Sequence, residues 1–218
     1  KRQLLTKQFT NQMIRFEKSF GKHKVNALGA YEYTRHFYES TSAEGRGIQP
    51  GREILDVTTG IKSIGGYKDA IATQSALFNA NYDYDNRYMG QVSYRMDESS
   101  CFGKNNRMGH FFTVSGGWNI QNETFFESLR ESVNQLKVRV SYGSLGNTPG
   151  AYYGHYPLYS SMMYNDEVAY FPSQMGNADL SWEKCYTTNI GIDARFFDRF
   201  GVTIDLYNNC LLYTSDAA

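Results

Sequence analysis

The chain lacks most of what would make it a nucleic-acid binder, a metalloprotein, an enzyme or a helical membrane protein. Charge of one sign is missing: 22 Lys and Arg balance 22 Asp and Glu in 218 residues. No bulk field therefore draws it to nucleic acid. Three cysteines occur, Cys101, Cys185 and Cys210, with no CxxC and no histidine at ligand spacing. The histidines are scattered (His23, His36, His110, His155), so neither a zinc site nor a disulfide framework is indicated. No apolar run approaches the ~18 residues a membrane helix requires, and no charged-then-apolar N-terminus resembles a signal peptide. Ser141, Ser144 and His155 stand in no nucleophile motif, and no carboxylate pair sits in a recognisable frame. The chain reads as a non-enzyme with no cofactor. Proline is scarce, 4 residues against 20 glycines, as expected where many strands must stay paired.

Aromatic residues are abundant: 18 Tyr and 14 Phe, although only 41% of the chain is hydrophobic. Tyr and Phe favour strands and suit a boundary between apolar and wet surroundings. Along 76–120, Phe78, Ala80, Tyr82 and Tyr84 alternate with Asn79, Asn81 and Asp83. After the turn at 85–87, Tyr88, Val92, Tyr94 and Met96 alternate with Gln91, Ser93, Arg95 and Asp97. Phe112, Val114, Gly116 and Trp118 resume the pattern. A period of two means strands with one apolar and one polar face. An apolar face carrying aromatics near strand ends, opposite a polar face, points to a transmembrane β-barrel wall.

Taken in order, the chain predicts about eight antiparallel strands: 10–19, 24–36, 68–84, 87–97, 110–120, 135–145, 180–195 and one beginning at 200. Ile14 and Phe16 share a face of the first. Trp182, Tyr186, Ile190 and Ile192 share the apolar face of the seventh. A short amphipathic helix is expected near 123–133, with Asn122 as N-cap and Phe125, Phe126, Leu129 and Val133 at helical spacing. The links alternate in size. Those at 20–23, 85–87 and 197–199 are short; those at 39–67, 98–109 and 146–179 are longer and polar. Outer-membrane barrels sort short periplasmic turns from long external loops in this way. Eight strands are too few for a large barrel, so an open curved sheet with unpaired edges is expected.

Specific words then become readable. Tyr94-Arg95-x-Asp97, Ser99-Ser100-x-Phe102-Gly103, Asn106-Arg107, Gly117-Trp118 and Phe125-Phe126 resemble the barrel signature of SusC/RagA-type TonB-dependent outer-membrane transporters. Leu136-Lys137-Val138-Arg139, Ser141-Tyr142-Gly143 and Gly146-Asn147 continue it. So do Asn177-x-Asp179-Leu180-x-Trp182-Glu183-Lys184 and Ile204-Asp205-Leu206-Tyr207-Asn208. Glu98, Cys101 and Cys185 depart from the usual residues. The chain starts at Lys1 without an initiator Met and is read as a fragment: residues 1–209 as partial receptor barrel, 210–218 as a non-native tail resembling translated sequencing adapter.

The resemblance implies a multi-pass β-barrel in the bacterial outer membrane, an active importer of oligosaccharide or peptide. Its implied partners are outer-membrane lipids, a SusD-like surface lipoprotein, and the TonB complex acting through N-terminal regions that this sequence lacks. Tyr152, Tyr153, Tyr156, Tyr159, Tyr164 and Tyr170 are candidates for ligand or lid contact, or for packing the loop itself. Arg95, Asp97, Arg139, Glu183 and Asp193 are candidate plug-facing lumen residues, or simply a hydrated wall. Asp166-Glu167 offers two carboxylates for Ca²⁺, against a solvated acidic loop. Two rival classes stay open: a passive porin or structural barrel, and a soluble glycan-binding β-sandwich.

Overall fold

The computed structural model describes residues 1–48, 50–52, 54–55, 58–148, 150 and 152–212, with only the backbone described at 61 and 62. Eight strands form one antiparallel sheet in the order β1-β2-β3-β4-β5-β6-β9-β10. They are β1 (Arg2–Phe20), β2 (His23–Arg46), β3 (Gly60–Tyr84), β4 (Tyr88–Ser99), β5 (Met108–Asn119), β6 (Val133–Asn147), β9 (Glu183–Phe196) and β10 (Phe200–Leu212). Between β6 and β9, the hairpin β7 (Leu158–Tyr164) and β8 (Glu167–Gln174) forms a separate two-stranded sheet. β1 and β10 are not paired to each other, so the main sheet stays open.

Register explains the sequence pattern. Phe20, His23, Tyr84, Tyr88, Trp118, Val138, Ile192 and Ile204 lie directly opposite one another in a single row across all eight strands. Neighbouring rings in this row have centroids 5.1 Å (Phe20–His23), 4.9 Å (His23–Tyr84), 6.4 Å (Tyr84–Tyr88) and 6.3 Å (Tyr88–Trp118) apart. Further outer rows set Ala80 beside Val92 and Val114, and Phe78 beside Tyr94 and Phe112. Ile14 and Phe16 fall on the same side. Above these rows the outer face turns polar, with the Gln74 amide donating to Glu98. From Tyr84 to Ala76 the outer band runs roughly 26 Å along the strand at ~3.3 Å per residue. Tilted by about 40°, it spans roughly 20 Å, close to an outer-membrane apolar girdle.

The opposite face is wet. Its concave surface encloses about 820 Å³, lined by residues such as Lys24, Asn81, Gln91, Ser115, Arg139 and Asp205. Glu17 of β1 and Asp205 of β10 both line that space, so the sheet curls until its two edges face one lumen.

Turns at the 20–23, 85–87 and 197–199 end are tight. Asp85 and Asn86 (φ 55° and 54°) and Phe197 and Asp198 (φ 52° and 53°) occupy left-handed backbone, the signature of type I′ turns matched to strand twist. Asp and Asn tolerate that region; Phe197 does so at a cost.

Four expectations change. Strands at the long-link end are taller than alternation indicates, so 39–67 shrinks to the stretch between Arg46 and Gly60. Residues 49, 53, 56 and 57 of that stretch lie outside the described residues. The expected helix is two 3-10 turns, Ile120–Asn122 and Thr124–Leu129. They bury Phe126 alone and leave Phe125 and Leu129 exposed. Asn122 caps nothing there; its amide donates to the Asn86 carbonyl at 2.9 Å. A turn this short does not repay helix nucleation. The link 146–179 holds the β7–β8 hairpin. Trp182 precedes β9 and turns into the mouth of the lumen instead of continuing the outer face. The division at 209/210 stands as an expectation: strand pairing in β10 reaches Leu212, and 213–218 lie outside the described residues.

Candidate functional site

Two places gather the candidate residues: the inner wall, and the mouth at the long-link end.

On the inner wall, Arg139 of β6 clamps Asp193 of β9 with two bonds, Nε to Oδ2 at 2.7 Å and Nη2 to Oδ1 at 3.1 Å. Nη2 also donates to Asp205 Oδ1 on β10 at 3.0 Å, and the Thr203 hydroxyl donates to Asp193 at 3.1 Å. Arg139 reaches across a whole strand because Gly191 lies between it and Asp205 in register. A Cβ at Gly191 would stand 2.5 Å from Asp205 Oδ1 and 2.8 Å from Arg139 Nη2. The missing side chain is what lets one guanidinium tie three strands.

A second inner cluster lies higher. Arg95 of β4 donates through Nε to both Asp97 oxygens (2.7 and 2.9 Å) and through Nη2 to Ser75 Oγ at 3.0 Å. Glu32 lies 3.6 Å from Nη2 and accepts from the Asn11 amide at 3.1 Å. Glu183 belongs to neither cluster. It sits at the start of β9, accepting from Asn147 Nδ2 at 3.3 Å. Thus Arg95 joins Asp97, and Arg139 joins Asp193, while Glu183 stands apart. Sequence reasoning missed Glu32, Ser75, Gly191 and Asp205. Counting register outward from the turn at 197–199 would have placed Asp205 opposite Gly191.

At the mouth, Phe102, Phe111 and Trp182 form the buried core, at 0%, 4% and 6% exposure. Phe102 and Phe111 lie 5.0 and 5.5 Å from the Trp182 ring. The Trp182 Nε1–H donates to the Arg107 carbonyl at 2.9 Å. This core joins the 100–107 link to the end of the 148–182 link. Burial pushes the Cys101 thiol in the first of them above its ordinary pKa, so it stays protonated.

The candidate tyrosines separate. The Tyr153 hydroxyl accepts the Ala70 N–H of β3 at 3.1 Å, and its carbonyl accepts from Gln174 Nε2 at 2.9 Å; it fastens the long link to the wall. Tyr156 rests on His155, ring centroids 4.0 Å apart, and Tyr152 is 41% exposed. Tyr159, Tyr164 and Tyr170 stand 66%, 72% and 74% exposed on β7–β8. Asn165 and Asp166 form the tip of that hairpin, φ 51° and 62°, as expected of a type I′ pair. Among the described residues no group of three His, Cys, Asp or Glu is placed to hold a metal ion.

At the opposite end, Glu123 is buried. It accepts from Trp118 Nε1 at 3.0 Å and pairs with Arg87 at 3.5 Å. Hydrogen bonds from Tyr88 and Trp118 hold its carboxyl below the usual range.

No family model matches the chain. Over 208 residues it is 32% identical to TonB-dependent receptor P39 of Formosa agariphila, covering 91% of this chain and 20% of that protein. It is 28% identical to TonB-dependent receptor SusC of Bacteroides thetaiotaomicron, covering 86% and 19%. The RagAB peptide importer in its closed-closed state superimposes with a TM-score of 0.88 at 27% identity, over 96% of this chain and 24% of that one. The chain belongs to the SusC/RagA-type TonB-dependent receptors. It spans about a fifth of the length of these curated relatives. In this sheet the aromatic rows lie on the convex face, and the Arg95 and Arg139 clusters lie on the concave, polar one.

Proposed function

We propose that this chain supplies part of the wall and mouth of an outer-membrane importer of large nutrients, driven by TonB and closed by a SusD-like lipoprotein. One observation carries the reading. A sheet wet on its concave side and aromatic on its convex side matches an importer barrel over nearly its whole length. The relatives supply the rest by likeness: one structural neighbour is a peptide importer, and SusC is a TonB-dependent receptor. The cargo is an oligosaccharide or a peptide, and the barrel closes with strands beyond this chain.

In this reading Arg95, Arg139, Asp193 and Glu183 face the plug. Tyr159, Tyr164 and Tyr170 reach for cargo or lid from an exposed hairpin, where rings stack and hydroxyls hydrogen-bond a rim.

Uptake by the full-length transporter in cells with and without TonB tests the function. Labelled maltoheptaose and a labelled peptide pool serve as cargo. Import that needs TonB is expected; equal flux without TonB would make the barrel a passive pore. Replacing Tyr159, Tyr164 and Tyr170 together with Ser should weaken cargo or lipoprotein binding at least ten-fold. Unchanged binding of both would remove their role.

A further inference from the structure

β1 and β10 are the outermost strands of the described sheet, each with a single neighbour. β3 has another open edge that this cannot explain, because both of its neighbours are present. β4 leaves it at Ser99, opposite Thr73, whereas β3 rises to Gly60 with β2 on its other side. Just above the departure the exposed groups are taken. Ala72 N–H donates to Ser100 Oγ at 2.9 Å, and its carbonyl accepts the Ser100 N–H at 2.9 Å. Ala70 N–H donates to the Tyr153 hydroxyl at 3.1 Å.

Higher still the edge is bare among the described residues. Gly65 directs its carbonyl to β2, accepting from Ser42 Oγ at 3.3 Å, so by alternation Ile64, Gly66 and Lys68 direct theirs away from β2. Among the described residues nothing pairs with those backbone groups. Proteins normally blunt such an edge with proline, a bulge or an outward charge. Here there is no proline. The bulge, an extra β3 residue at 62 opposite Glu44 and Gly45 of β2, lies above the 64–68 stretch and not within it, and the Lys68 ammonium is drawn to Glu39 at 3.4 Å. Gly66 has no side chain to obstruct an approaching backbone.

We propose that the β3 edge at 64–68 is a cargo-binding site that takes an extended peptide as an added strand. The inference rests on the importer reading and narrows its cargo to polypeptide. The chemistry selects that class. Residues two apart in a strand repeat at roughly 6.6 Å, and a partner must offer one donor and one acceptor at each repeat. A peptide backbone does so whatever its side chains; a sugar chain, lacking the alternating N–H and C=O, does not. Tyr153, seated on Ala70, stops the added strand at its lower end.

The test uses the full-length transporter in detergent and three probes: a fluorescein-labelled octapeptide alternating Ala and Thr, the same peptide methylated at alternate backbone nitrogens, and maltoheptaose. The plain octapeptide should bind, with slowed amide exchange at Ile64, Gly66 and Lys68. N-methylation should weaken it at least ten-fold. So should Ile64→Pro with Lys68→Pro, which removes two edge donors without touching the β2 ladder. Heat-modifiability on gels checks that this variant is folded, and the N-methyl arm does not depend on it. Equal affinity for both peptides overturns the proposal, as does binding without protection at 64–68. So does protection produced by the lipoprotein alone, which would give the edge to a protein partner. Maltoheptaose bound or imported with no peptide binding sinks this inference and leaves the importer standing. Neither probe bound nor imported under TonB energisation sinks both.

Discussion

The two ends of this wall are both rich in aromatic rings, and they use them in opposite ways. At the short-turn end Tyr84, Tyr88 and Trp118 stand on the outer face, stacked across strands, with Trp118 still 38% exposed. At the long-link end Phe102, Phe111 and Trp182 turn inward and are buried. The difference lies in the solvent each end meets. A ring facing lipid loses nothing by staying uncovered, and its polar tip reaches the interface. A ring at a watery mouth must find other rings. In the outer-membrane reading proposed above, one end is thus completed by the bilayer, and the other has to complete itself.

The strongest way to break that contrast is Trp182→Ala. Removing a buried Trp costs about 3–5 kcal/mol. The loss should appear as protease sensitivity and faster amide exchange in the 100–107 and 148–182 links, with the short-turn end unchanged. Equal loss at both ends would show one cooperative unit. Next comes Trp118→Ala, expected to cost about 1 kcal/mol through lost stacking. Its heat-modifiability should fall more in bilayers of matching thickness than in detergent; an equal drop in both would remove the lipid's part. Phe197→Asn should run the other way and stabilise by roughly 1 kcal/mol, because Asn accepts the left-handed turn better. Chemical denaturation reads this, and destabilisation would mean that the exposed Phe197 ring makes a contact worth more than its strain.

The smallest effect concerns pH. Glu123 titrates below its ordinary value of 4.5, so its contribution is complete above pH 4.5 and fades only as pH falls through the depressed value. Trp118 fluorescence should stay constant from neutral pH to 4.5 and change below it. Glu123→Gln should abolish that change. A transition near pH 6 would assign the titration to another group.

How much of this was legible beforehand depends on whether a buried or lipid-facing side set the period. In β3 to β6 it did: Tyr82, Val92, Val114 and Tyr142 fell where alternation put them. In β7–β8 both faces are exposed, and Met162, Met163 and Tyr164 run together without alternation, so the hairpin was hidden within a link. Its one local sign was Asn165-Asp166, a type I′ pair whose Asp166 also offers, with Glu167, the two carboxylates of an acidic loop. Trp182 was misplaced because alternation was counted back past Glu183, where the strand begins. The inner clusters were half legible. Arg95, Asp97, Arg139 and Asp193 have the right parity, but parity alone does not say which neighbour each will meet. Asp205 and Glu32 needed the register.

Gly191 gives the wall a direction in time. Once Arg139 is lost, position 191 can accept a side chain as soon as the Asp205 carboxylate, 2.5 Å from where a Cβ would stand, turns aside. If a side chain arrives there first, Arg139 is cut off from Asp205 and the third strand is released from the clamp. Substitutions at these sites can therefore accumulate in one order and not the other, and glycine at 191 should be inherited together with arginine at 139.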